Sequence, residues 1–568
     1  MAQQNFKLKQ FNYRGQSSAP QLRLIPLGGI GDVTKNMYVY EFGQDIIVVD
    51  CGIGFPDEGM PGIDLVIPDA SYLFERKKQV RGIVITHAHD DHIGGLPFIW
   101  PSLEVPIYAQ RLAAAFIKNK FTEHHLPEFQ IHTVDIKTKL DLGPFRVSFY
   151  QVSHSVPDST GLIIETPAGH IIHQSDFKLD WTPLNGQITE IGKIALAAEK
   201  GIKLMLIDSL GVEKPGYSLT ERAIQPTFEA IERKTRGKML ITTTSSNISR
   251  IQQAINVAAL SGRKVALIGR SMDSNFQVAR DLGYLQVSPG AIIAPDEVKQ
   301  FQPHKLLLLV AGSQGQPGSA LSRVANNDHK QVSLKLGDAV VFSADPIPGS
   351  ETAQYSLIDQ LTKMGVDVYY TALTDALHVS GHETAEEIKV MLGVVRPEFL
   401  MPIGATRRHM KAFADLAVEM GWQRDRVMLP DDGQVVNITP QNVALNGKID
   451  VKNIYVDGLG VGDVGTVVLR DRKVMAEEGV VLVVVPADMH TSQLAGEIDV
   501  VSRGFIFERE NEGLLAAAKQ VVSKVLESHQ GAELDWRFIR RHIEEDLQRF
   551  FYEKTQRRPM IITQVVEV

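Results

Sequence analysis

The apolar positions of this chain fall into two textures. From residue 22 to about 210, short apolar runs are broken by glycine-rich or polar turns, as in Leu22–Leu27, Met37–Tyr40 and Ile46–Asp50. Runs of this kind predict strands. Gly28-Gly29-Ile30-Gly31 lacks the full spacing of a dinucleotide loop and precedes no clear helix, so it reads as a turn between strands. Gln110–Lys120 has helical spacing. From about Thr220, strand-like runs alternate with helical ones: Met239–Thr243 then Ile251–Leu260, and Val265–Ile268 then Asn275–Leu282. That alternation predicts an α/β layer with a parallel sheet. Near residue 365 the first texture returns, in Val366–Tyr370, Ala385–Leu392 and Phe399–Ile403. A last segment starts near Lys452. Its Thr466–Leu469 and Val480–Val485 runs predict strands, and Leu514–Leu526 predicts a helix.

At 568 residues the chain is too long for one ordinary core, and about two to four domains are expected. No apolar run reaches the length of a bilayer span. Met1 to Pro20 is polar and lacks the apolar core of a signal peptide. Cys51 is the single cysteine, which excludes an intrachain disulfide and fits a cytoplasmic location. A net charge of -8 lowers the expectation of a nucleic-acid partner unless a local basic groove or bound metals screen the phosphates. The tail Trp536–Arg558 carries Arg537, Arg540, Arg541, Arg549, Lys554, Arg557 and Arg558. With Glu544, Glu545 and Asp546 interleaved it reads as a solvated helix face, RNA contact being the alternative.

The chemistry concentrates in Thr86-His87-Ala88-His89-Asp90-Asp91-His92, after the apolar run Gly82–Ile85. Side chains at i and i+2 of an extended segment point the same way, so His87 and His89 can grip one metal. The following turn lets Asp91 and His92 reach a second. Imidazole and carboxylate suit zinc, then manganese. Two more candidates each follow a strand: His154 after Phe145–Tyr150, and Asp176 after Ile171-Ile172. A carboxylate such as Asp176 can bridge two cations about 3.5–4 Å apart.

The order HxHxDH, then histidine, then aspartate resembles that of the metallo-β-lactamase superfamily, over residues 22–210 and again over about 365–450. The inserted α/β segment resembles its β-CASP branch, which acts on nucleic acids. Further stretches are similar to the bacterial ribonuclease J family. They include Gly31–Met37, Gly62–Asp69, Ser246-Asn247-Ile248, Gly312–Gly315, Ser319–Arg323, Pro346–Gly349, His378–His382, Asp457–Asp463 and Arg557–Ile562. The resemblance implies a metallo-β-lactamase αββα sandwich in two parts (1–215 and 365–450), an inserted β-CASP α/β domain (216–364), and a linker with a small C-terminal α+β oligomerisation domain (451–568).

The resemblance also implies roles. His87, His89 and His154 would hold one zinc, Asp91 and His92 the other, with Asp176 bridging; manganese or magnesium can substitute. Asp208 would prop the site and His382 would stand near the scissile phosphate, with Asp91 beside them in the catalytic set. His378, Val379, Ser380, Gly381 and His382 would hold the substrate backbone. Ser246, Asn247, Arg250, Arg270 and Ser271 are candidates for the RNA 5′ phosphate. Gly62, Asp64 and Asp457 match a structural calcium site.

Four positions depart from the family pattern. Pro402-Ile403-Gly404-Ala405-Thr406 stands where the family reads Pro-Val-His-Gly-Glu, so the last ligand of the second metal is replaced by Gly404. Ser249 replaces a histidine, Ser175 a glycine and Gln316 a glutamate. Three functions are therefore expected in competition. The first is a two-metal 5′→3′ exoribonuclease and endoribonuclease of rRNA maturation and mRNA decay, as a homodimer or homotetramer. The second is a weakly active or inactive paralogue serving as the RNA-binding subunit of a hetero-oligomer. The third is a hydrolase of small thioesters or lactams.

Overall fold

In the computed structural model the described residues are 21–567, except 58, 128, 348, 489–492, 508–511 and 529–535. The polar stretch Met1 to Pro20 lies outside them. The chain divides into two units, one of residues up to 54 and 67–453, the other of 55–66 and 454–568.

The first unit contains a sandwich. One sheet has eight strands in the order Val443–Lys448, Gln434–Ile438, Leu22–Gly28, Met37–Phe42, Asp45–Val49, Val80–Val84, Ile107–Ala109 and Ile131–Thr133. The other has six: Phe399–Ile403, Ile202–Asp208, Gly169–Gln174, Thr160–Thr166, Phe145–Gln151 and Lys139–Leu142. Alternate residues of each sheet fill the space between them. Leu22, Leu24, Tyr38, Tyr40, Ile47 and Val49 meet Phe145, Val147, Phe149, Leu162, Ile164, Leu204 and Leu206, as period-2 burial requires. The opposite face of the six-stranded sheet, with Ile163, Ile172, Met205 and Ile207, packs on helices Ile191–Ala198, Ala385–Val395 and Arg407–Glu419.

Between Asp208 and Ala385 the chain builds a separate six-stranded sheet. Its order is Ile292–Ile293, Lys264–Ile268, Leu306–Val310, Met239–Thr242, Ala339–Phe342 and Asp367–Tyr369, and every pairing is parallel. Leu306–Val310 is buried at every position, the signature of a strand covered on both faces. Asp367–Tyr369 is the edge strand of this sheet, so the inserted layer runs past residue 364, where the sequence reading ended it. Gly28-Gly29-Ile30-Gly31, expected as a turn, bends only at Gly29: Gly28 ends the strand Leu22–Gly28, and Ile30–Gly31 is a short strand paired with Ala405–Thr406.

In the second unit, Val480–Asp488 is flanked by Asp499–Arg503, by the parallel strand Met560–Glu567 and by the short Gln493–Leu494. Val481, Val483 and Val485 bury against Val522, Ile543, Leu547 and Phe551 of helices Glu512–Ser528 and Trp536–Thr555. Thr466–Leu469, expected as a strand, is the first turn of helix Thr466–Glu478. Its β-branched start imitates a strand, but only Leu469 is buried there, and the chain continues in good helix formers to Gly479. Residues 55–66 join this unit across the sequence: Ile63 and Val66 pack with Val464 and Leu469. Among the described residues no helix is long and apolar enough to cross a membrane.

The loop Asp50-Cys51-Gly52 lies directly under the histidine-rich loop. Cys51 N–H donates to His92 O at 2.8 Å, and Ile53 N–H to Asp90 O at 3.1 Å. Gly52 is required by this closeness, since a Cβ there collides with the Asp91 carbonyl. Gly52→Ala is therefore expected to cost about 1–3 kcal/mol, the usual cost of overpacking, read as a lowered urea midpoint at unchanged slope.

Candidate metal centre

The strand Val80–Val84 delivers Thr86 to His89, and the short helix Asp90–Ile93 follows at once. His87 and His89 share a side, as their i and i+2 positions require. Their Nε2 and Nδ1 atoms are 3.2 Å apart. His154 Nε2 lies 3.0 Å from His89 Nδ1. Asp176 Oδ2 lies 3.5 Å from His87 Nε2 and 3.7 Å from His154 Nε2. A tetrahedral zinc with ligand distances of about 2.0–2.1 Å sets neighbouring donors roughly 3.3 Å apart. The four donors therefore fit one such ion.

A second set adjoins it. His92 Nε2 is 3.5 Å from Asp91 Oδ2 and 3.5 Å from Asp176 Oδ1. Asp176 thus turns one oxygen to each set, the disposition of a bridging ligand.

Each histidine is held by its other nitrogen. His92 Nδ1 contacts Asp50 Oδ2 at 2.7 Å, His87 Nδ1 contacts Thr86 Oγ1 at 3.0 Å, His89 Nε2 contacts Ser155 Oγ at 3.1 Å, and His154 Nδ1 donates to Gly381 O at 2.7 Å. Such contacts fix tautomer and ring orientation. Asp50 was not singled out from sequence. It is fully buried and also accepts from Thr86 N–H at 2.8 Å and Thr86 Oγ1–H at 2.7 Å. Its signal was a carboxylate closing an apolar strand two residues before a glycine.

The electrostatics sort the two sets. Burial and the neighbouring His87 lower His89 to about 3, and burial with His89 and His87 holds His154 well below the usual histidine value. Neutral rings are the form that binds metal. Burial opposes charge on His92, but Asp176, Asp91 and Asp50 outweigh it and hold it well above that value. This pocket of negative charge favours a cation.

Beyond the ligands, His382 Nδ1 donates to Asp208 Oδ2 at 2.6 Å, and its Nε2 stands 3.9 Å from Asp176 Oδ2. Burial opposes its charge, but Asp208 and Asp176 raise His382 to about 9. Asp208 ends the strand Ile202–Asp208 beside Phe399–Ile403. The sequence-predicted Asp208 and His382 are thus brought together and onto the bridging carboxylate.

Family models described as the metallo-beta-lactamase superfamily, the ribonuclease J beta-CASP domain and the ribonuclease J C-terminal domain match residues 30–180, 236–361 and 467–568. The chain is 38% identical to Ribonuclease J2 of Bacillus subtilis (strain 168) over 555 residues, spanning 97% of this chain and 100% of that protein. The chain belongs to the ribonuclease J family. It is also 37% identical to Ribonuclease J of Thermus thermophilus, over 97% of each chain. A solved structure of a protein of unknown function from Enterococcus faecalis V583 shares the fold, with a TM-score of 0.52 at 15% identity, covering 74% of this chain and 100% of that one. The sandwich with its inserted parallel sheet is accordingly the metallo-β-lactamase fold with a β-CASP insertion.

At the family's departure point, Gly404 has φ +61° and donates its N–H to Gly29 O at 3.0 Å. A Cβ placed on it would come 3.4 Å from Asp208 Oδ1. Position 404 therefore does face the centre, but offers it no donor. His409 does not replace one: its Nδ1 contacts Thr406 Oγ1 at 3.1 Å and its Nε2 lies 3.4 Å from Glu213. The second set keeps three ligands.

The substrate candidates divide. Arg250 is fully buried and committed. It donates to Ser343 O at 2.8 Å, to Leu377 O at 3.4 Å, to Val379 O at 3.5 Å and to Glu221 at 3.2 Å. It clamps the backbone of the His378–His382 segment to the inserted layer and is not available to a phosphate. Asn247 is a helix N-cap, its Oδ1 accepting from Arg250 N–H. Ser380 Oγ accepts from His382 N–H, and Val379 is buried. Ser246, Arg270 and Ser271 retain some exposure, at the carboxyl ends of Met239–Thr242 and Lys264–Ile268. Helix starts there point backbone donors at anions.

Gly62, Asp64 and Asp457 do come together, but around a cation of the chain's own. Arg472 donates to Asp457 Oδ2 at 2.5 Å and to Pro61 O at 3.3 Å, while Asp64 Oδ2 accepts from Gly458 N–H. A calcium ion does not fit beside that guanidinium.

Metal titration against a chelating indicator should show one tight site and one at least 10-fold weaker, by the scale of ligand-sphere defects; Asp176→Asn should weaken both and His154→Ala chiefly the tight one. Calcium should leave the melting temperature unchanged, whereas Arg472→Ala should lower it.

Proposed function

We propose that this chain is a metal-dependent ribonuclease, hydrolysing RNA phosphodiesters as a 5′→3′ exonuclease with endonuclease activity, in rRNA maturation and mRNA decay. The observation that carries the reading is a tetrahedral donor set sharing Asp176 with a second set, faced by a charged imidazole. Bound there, zinc or manganese would activate water and polarise the phosphoryl oxygens. His87, His89, His154 and Asp176 would hold the first ion, and Asp91, His92 and Asp176 the second.

The protein's own groups do the rest. His382 keeps its proton at neutral pH and presents Nε2 towards the bridging carboxylate. From there it steadies charge developing on phosphorus or gives its proton to the leaving 3′ oxygen. Asp208 holds the ring at that angle. Asp91, the more exposed of the two ligand carboxylates, is placed to take a proton released from water. The His378–His382 segment, clamped by Arg250, positions the RNA backbone, and Ser246, Arg270 and Ser271 offer donors to a 5′ phosphate. This setting is cytoplasmic, and the assembly a homodimer or homotetramer. In support, the C-terminal sheet leaves Leu482, Ile562 and Val566 exposed.

Gly404 favours a second reading, in which the chain is a weakly active or inactive paralogue acting as the RNA-binding subunit of a hetero-oligomer. The three-ligand second set supports it.

End-labelled 5′-monophosphorylated RNA, incubated with the protein and added zinc, manganese or magnesium, separates the two. Mononucleotide release that disappears in Asp176→Ala establishes the nuclease. RNA binding without cleavage under any metal establishes the subunit; restored cleavage in Gly404→His would then trace the loss to one ligand. Because His382 titrates near 9, the rate should fall as pH rises through about 9. Stability follows the same sign: the folded value lies above the ordinary histidine value of 6.5. This group's contribution is therefore full below that value and lost as pH passes about 9.

A further inference from the structure

Glu383 follows His382 in sequence and belongs to no motif described above. Its side chain is fully buried. Oε1 accepts one weak hydrogen bond, from Gly211 N–H at 3.3 Å. Oε2 is buried with no donor among the described residues. The carboxyl lies within hydrogen-bonding reach of the Asp208 carboxylate.

Glu387, four residues on, provides the contrast. It is just as buried, yet its oxygens accept from Leu179 N–H at 3.0 Å, Ser218 Oγ–H at 2.7 Å, and Thr384 N–H at 2.7 Å and Oγ1–H at 3.1 Å. Those donors are what a buried anion needs. Glu383 has no such set. The charged groups on the elements around it do not supply one. His382 is turned to Asp208, and His409 to Glu213 and Thr406. Lys214 contributes its backbone carbonyl to Ala385 N–H, and among the described residues it donates nothing to Glu383.

We infer that Glu383 is carried as the neutral acid and donates its O–H to Asp208, holding that carboxylate on His382 as a positioning residue. One proton shared between two touching carboxyls satisfies both: Oε2 gains an acceptor, and Asp208 stays an anion facing the imidazolium. Asp208 then accepts from three sides, from Glu383, from Leu210 N–H at 3.1 Å and from His382. Burial and the adjacent Asp208 push Glu383 well above the usual carboxylate range, in agreement. Neither residue is among the ligands assigned above to the two ions, although Asp208 lies with His382 and Asp176 in a third group of possible ligands. Gly211 lies so close to the Glu383 backbone carbonyl that no Cβ fits between them.

The effect on rate rests on the hydrolase reading; the protonation state does not, so the two fail separately. Infrared spectra of the full chain near pH 8, well above the ordinary carboxylate pKa of about 4, should show a protonated-carboxyl C=O band that Glu383→Gln removes. NMR titration of His382 should give the same pKa in wild type and Glu383→Gln, because a neutral donor replaces a neutral donor. Glu383→Ala should lower kcat on RNA by roughly 10- to 100-fold at unchanged KM, the scale of lost supporting contacts, with Glu383→Gln rescuing most of it. A missing band, or a His382 pKa that drops in Glu383→Gln, means an ionised Glu383 and overturns the inference. Equal loss in the alanine and glutamine variants overturns it too. Should Glu383→Ala not fold, the two spectroscopic comparisons decide alone.

Discussion

The carboxylate of Asp50 is the point on which this centre hangs. It sits at the end of an interior strand with φ +61°, a left-handed conformation that aspartate tolerates better than most residues. That turn aims both oxygens at the loop and helix that follow the next strand, where they take the Thr86 amide, the Thr86 hydroxyl and the His92 ring. One buried carboxyl group thereby starts the ligand loop, orients the His92 ring and adds to the negative field that favours a cation. Buried and satisfied by three donors, it is costly to disturb, since losing one partner leaves a charge uncompensated.

Around it the site is arranged as two axes crossing at Asp176. One axis runs through His89 and His154, whose protons are removed by burial and mutual repulsion. The other runs from Asp176 through His382 to Asp208, where carboxylates outnumber imidazoles and a proton is retained. The same element serves both. The Gly381 carbonyl orients His154 while its neighbour His382 faces the bridge. Arg250 makes that element rigid from behind, through Leu377 and Val379 carbonyls. A displacement of the inserted layer would be felt at His154 and at His382 together.

Much of this was legible in the residues. A strand followed by HxHxDH states its chemistry locally, because the i and i+2 geometry of an extended chain is enough to converge His87 and His89. His154, Asp176, Asp208 and His382 were legible through resemblance and order along the chain. What stayed hidden depended on contacts between distant segments. Asp50 looked like the last residue of a strand. Arg250 was one candidate for the 5′ phosphate, although burial had committed it to carbonyls. Glu383 carries no signal in the sequence, and only its missing donors distinguish it from Glu387. Thr466–Leu469 misled for the opposite reason: local β-branching outweighed the helix formers that follow.

The segment 55–66 has one more consequence. It leaves the strand region of Asp50 only a few residues earlier in the chain, yet its packing partners begin near residue 454. About 390 residues of chain separate the two, roughly 20 to 80 s of ribosomal synthesis at ~5–20 residues per second. Throughout that interval Ile63 and Val66 lack their partners Val464 and Leu469, while the strands of the sandwich can already pair. The nascent chain therefore carries an apolar loop whose cover, Val464 and Leu469, is made only after the whole of the first unit.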